Sequence, residues 1–147
     1  MYDLSNSISP AVSLAAAVRS AAANGTGVDL QGYNSAAILV DVGAEGDTLS
    51  GSVYFEISLE HSDDDSTYTD CAQADIVDGT IASGGIFLKL DGTTGGDPDT
   101  AGGIFRVGYR GGKRFFLGLH PTKNSFQVFL IFFRHIYLSS DQFFLIN

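Results

Sequence analysis

The chain has 147 residues, 44% of them apolar and only 17% charged, with eleven phenylalanines and six tyrosines. That length and aromatic content support one folded core and exclude a disordered polar chain. A lone Cys71 excludes an intrachain disulfide and a cysteine-cluster metal site, and a net charge of −9 argues against nucleic acid, whose phosphates would repel it.

The first 24 residues read two ways. Val12, Leu14, Ala16 and Val18 alternate like a strand, yet Leu14 to Ala23 is alanine-rich enough for a short helix. Residues 1–24 are therefore expected to form an N-terminal arm or edge strand, with residues 25–147 as one β domain. Asn24-Gly25-Thr26 also matches a glycosylation sequon, but Met1-Tyr2-Asp3 lacks the basic start of a signal peptide.

Strand signals then follow steadily. Val28-Asp29-Leu30 alternates, and Ala36 to Val42 is a β-rich run ending at Gly43. Val53, Phe55, Ile57 and Leu59 fall on one face of the next strand, with Tyr54, Glu56, Ser58 and Glu60 on the other. Ser62-Asp63-Asp64-Asp65-Ser66 reads as a turn, and Thr67-Tyr68-Thr69 as the returning strand of a hairpin. Further runs cover Ile86 to Leu90, Ile104 to Tyr109, Arg114 to Leu119 and Phe126 to Leu138, separated by Gly- or Pro-containing turns. The last run is interrupted by Arg134 and His135 and is too short for a membrane-spanning helix; a soluble protein without a membrane partner is expected. About eight short antiparallel strands at this spacing predict an all-β fold, a β-sandwich or jelly roll.

Motifs for chemistry are sparse. No nucleophile-elbow, phosphate-loop, zinc-protease or EF-hand spacing occurs, and Gly25-Thr26-Gly27 leads into a strand, unlike a dinucleotide-binding turn. His61, His120 and His135 fall at three separate strand ends, which suits ordinary histidines better than a metal site. Asp63-Asp64-Asp65 and the group Asp91, Asp97 and Asp99 could offer oxygens to calcium, but aspartate is also the common residue of tight turns. No cofactor is expected, and the chain reads as a structural or binding module, not an enzyme.

Charge is unevenly distributed. Residues 1–100 carry sixteen acids and two bases, Arg19 and Lys89, a net of −14; residues 101–147 carry six bases and one acid, a net of +5. Either the basic part folds back on the acidic body, or acidic and basic faces pair between subunits. Four of the bases, Arg106, Arg110, Lys113 and Arg114, crowd into two strands joined by Gly111-Gly112. They are the candidate residues for a protein interface, because guanidinium groups grip carboxylates in bidentate fashion.

Three stretches, taken together in order and spacing, resemble small virion structural proteins of tailed bacteriophages: Val28 to Ala36, the acidic hairpin Leu59 to Asp70, and Phe105 to Arg114. The nearest class is the accessory capsid proteins, called decoration or cement proteins. The resemblance covers roughly residues 26 to 116. It departs at Asp65, where the family usually has glycine, and over residues 115–147, which are more aromatic and less alternating than the family's end. It implies a β-sandwich without catalytic residues and with an assembly partner. A place on the capsid surface of a virion assembled in the host cytoplasm is expected, with a major capsid protein and other copies of the chain as partners, in a trimer because a threefold site on a shell recruits three copies. Alternatives are a head–tail or tail component, and a carbohydrate- or calcium-binding β-sandwich module.

Overall fold

A computed structural model of the chain describes residues 8–19, 21–33, 35–43, 48–92, 103–119 and 126–135; for 19, 117–119 and 126–135 the description is of the backbone alone. Ten strands are formed among them: β1 (Ile8–Arg19), β2 (Val28–Asp29), β3 (Ser35–Val42), β4 (Phe55–Ser62), β5 (Thr69–Asp70), β6 (Ile76–Val77), β7 (Ile86–Leu90), β8 (Gly103–Tyr109), β9 (Phe115–Leu119) and β10 (Phe126–His135). A single turn of 3-10 helix at Gln73–Asp75 precedes β6. The all-β expectation holds.

The strands form two antiparallel sheets. One has the order β1-β10-β3-β8-β6, and the other β2-β9-β4, with β5 and β7 both on the far edge of β4. β7 pairs with Phe55 to Ser58, and β5 with Glu60 and His61. Leu59, between them, donates its N–H to the Gly85 carbonyl at 2.8 Å and accepts from the Cys71 N–H at 2.9 Å, so no backbone group of β4 is stranded at the changeover. Gly85 makes this approach with φ +68°, and an added Cβ would lie 2.5 Å from the Leu59 oxygen. Only glycine fits there.

The core lies between the sheets because alternation gives each one apolar face. Ile38, Val40 and Val42 of β3 face Phe55, Ile57 and Leu59 of β4, all at most 2% exposed, within one cluster that also holds Val107, Tyr109 and Phe116. Every second residue of β4 from Phe55 is thus inward, as its sequence predicts; Val53 lies outside the strand and is only half-buried. The Ala-rich segment that reads equally as helix is strand over Ile8–Arg19, at the edge of its sheet against β10.

Candidate functional site

The β8–β9 turn carries a set of polar groups tied to the core. Alternation along β8 buries Val107 and Tyr109 and leaves Arg106 exposed. Tyr109 stacks on Phe116 with ring centroids 4.2 Å apart, joining the two sheets, and its hydroxyl lies 3.0 Å from Nδ1 of His61, itself 9% exposed. Burial pushes the Tyr109 phenol well above its ordinary value. The Lys113 N–H also reaches this hydroxyl, at 3.4 Å. An added Cβ at Gly111 would collide with the Tyr109 ring, so the turn can close over the tyrosine only with glycine there.

Two ion pairs flank the turn. The Arg114 guanidinium donates from Nε to Asp29 Oδ1 at 3.0 Å and from an Nη to Oδ2 at 2.7 Å, a bidentate grip that raises the guanidinium pKa further. Lys113 Nζ pairs with Asp63. Arg110 is fastened differently: its N–H donates to the Asp75 carbonyl at 2.8 Å and its Nε to the Ala74 carbonyl at 3.2 Å, holding the 3-10 turn against the end of β8. Around the tyrosine these groups leave a cavity of about 390 Å³, with Leu30, Tyr33, Asp63, Lys113 and Arg114 among its lining.

The four candidate interface residues therefore do not form one row. Lys113 and Arg114 fold back on acids of the first hundred residues, the first of the two outcomes that the charge split allows. Arg110 serves the backbone. Arg106 has no ion-pair partner among the described residues and stands on the opposite face of its strand from Val107 and Tyr109. Strand alternation puts Tyr109 on one face of β8 with Phe105 and Val107; its pairing with His61, forty-eight residues away, is not readable in the sequence, because nothing local encodes it.

The other candidates are placed as follows. Asp64 Oδ1 accepts from the Ser66 and Thr67 N–H groups at 2.9 and 2.7 Å and from the Ser62 hydroxyl at 2.8 Å, which holds its carboxyl far below the usual carboxylate range. That is turn chemistry. Asp91 pairs with Lys89 at 3.4 Å, and Asp97 and Asp99 lie outside the described residues, as does His120. His135 is placed by its backbone opposite Ser35. Cys71 is buried, and desolvation raises its thiol pKa. Among the described residues no group of three or more His, Cys, Asp or Glu is arranged to hold a metal ion, and no helix is long and apolar enough to cross a membrane.

The chain matches no family model, no curated protein and no solved structure.

Proposed function

We propose that the chain is an accessory virion structural protein of a tailed bacteriophage, of the decoration or cement type, which stabilises a shell by docking on its major capsid protein. One observation carries this reading furthest: the sheet containing β3 and β8 has a buried inner face and also leaves apolar side chains in the open on its outer face. Ile104 is 74% exposed on it and Val77 41%. An isolated monomer gains nothing from apolar side chains held in water, and their presence suits a subunit of an assembly, whether a second copy or another protein covers them. The likeness of residues 26 to 116 to decoration proteins supplies the setting, and the groups around Tyr109 serve to lock the two sheets rather than to react.

The test is co-sedimentation of the purified chain with capsids of its phage assembled without it. Saturable binding, with an increase in the temperature at which the particles burst, is the expected result. Capsids that neither bind the chain nor gain stability would refute the decoration role, and binding to isolated tails instead would favour the tail reading.

A further inference from the structure

We infer that the outer face of the β1-β10-β3-β8-β6 sheet is covered by the same face of a second copy of this chain, in a twofold dimer clasped by two Asp41–Arg106 ion pairs. The inference rests on the assembly reading only in taking exposed apolar surface as surface to be covered.

The register shows what the face contains. Residues paired directly across antiparallel strands stand on the same side of a sheet. On β3, Ala36, Ile38, Val40 and Val42 point into the core, so Ala37, Leu39 and Asp41 belong to the outer side. Following the pairs outward from these three residues gives three rows. Ala37 is aligned with Gly108 and, through it, with Val77; on the other side it is aligned with Phe133 and Pro10. Leu39 is aligned with Arg106 on one side and with Ile131 and Val12 on the other. Asp41 is aligned with Ile104 and Phe129. Val12 is 53% exposed, Val77 41% and Ile104 74%. In these three rows the charged positions are one acid and one base; the next row, Ser35 aligned with His135 and Ile8, adds a histidine at the end of the face.

Those two charges select the occupant. Asp41 and Arg106 are exposed, lack ion-pair partners among the described residues, and sit on adjacent strands one pair apart, as diagonal neighbours. Two sheets packed face to face lie about 10 Å apart, a gap that an aspartate and an extended arginine together can close. A twofold axis lying between the faces, across the midpoint of that diagonal, sets Asp41 of each copy against Arg106 of the other. The same operation crosses the strands of the two copies and brings Leu39 and Ile104, beside the axis, close to their own counterparts. A partner of different chemistry would have to supply its own acid and base at this spacing, whereas a second copy supplies them by symmetry, in the isologous arrangement most common among oligomers. The area is of the right order: strands of twelve, ten, eight, seven and two residues, at about 4.8 Å spacing and about 3.4 Å per residue, present roughly 640 Å² of flat sheet. Stable interfaces bury about 800 Å² per partner, measured on a rougher surface.

The experiment is sedimentation of the full chain across micromolar concentrations, beside Asp41→Arg, Arg106→Asp and the double exchange. Both residues are exposed, so the variants are expected to keep the wild-type circular dichroism. Wild type is expected as a dimer, in place of the trimer that a threefold site on a shell would recruit. Each single exchange places like charges together twice in the interface and should raise the dimer dissociation constant at least about tenfold. The double exchange should restore it to within about threefold. Ile104→Lys, at a site already exposed, should give monomers and serves as the second arm if a charge variant does not fold. A wild-type monomer, a trimer at every concentration, or a double exchange no better than the singles overturns the twofold pairing. A dimer that never binds capsids would leave this contact standing and remove the decoration role; capsid binding by a monomer would do the reverse.

Discussion

The Tyr109 hydroxyl and the His61 ring are a buried polar pair inside an apolar layer, and each is costly to leave alone. Tyr109→Phe keeps the stack on Phe116 but strands the His61 Nδ1, which should cost about 1–3 kcal/mol of stability. Urea unfolding of the single variants and of the pair with His61→Ala reads this as a coupling; strict additivity would show that the contact contributes nothing. Asp64 acts through the pH dependence of stability. Its folded pKa is depressed by the backbone donors of its own turn, so its contribution is complete above the ordinary carboxylate value of about 3.9 and is lost as pH falls below it. Asp64→Asn keeps an acceptor without the titration, so the loss of stability between neutral and strongly acidic pH should be smaller in the variant. An unchanged acid slope would assign the loss to other carboxylates.

At the scale of elements, alternation was the informative signal and long-range pairing the missing one. β4 is legible because one face is buried and the other is not, which fixes its register: a slip of one residue would expose Phe55, Ile57 and Leu59 together. Phe55→Asp places a carboxylate where exposure is zero and should leave the chain unfolded or insoluble; a soluble variant with an unchanged melting temperature would show this register to be wrong. The division of labour between β5 and β7 along one edge of β4 could not be read, because it depends on Gly85 and Cys71 meeting Leu59 from distant parts of the chain. β1 was ambiguous for a related reason. Its alanines favour helix, and the choice of strand is made by β10, more than a hundred residues later, which tertiary pairing allows to override local propensity. In the sequence Phe126, Val128, Leu130 and Phe132 alternate with Gln127, Phe129, Ile131 and Phe133, a pattern apolar on both sides, and the backbone of β10 lies between β1 and β3 as an interior strand. That double-sided pattern was legible; which strands flank it was not.

For the whole molecule, salt separates the two contacts proposed here. Lys113 and Arg114 are already paired with Asp63 and Asp29, so the chain meets any partner as an acidic body of net charge −9. Attachment to a shell that offers basic surface would then draw on long-range attraction, and the Debye length shortens from about 10 Å at 0.1 M salt to about 3 Å at 1 M. The copy–copy contact has a different balance. Its two ion pairs contribute about 0.2–1 kcal/mol each even if exposed, and its apolar rows do not weaken with salt. Raising salt from 0.1 to 1 M should therefore release a large part of capsid-bound protein while raising the dimer dissociation constant by no more than about thirtyfold. Parallel co-sedimentation and ultracentrifugation measure both. Dimers that dissociate as steeply as capsid complexes would mean that charge, and not the apolar face around Ile104, holds the copies together.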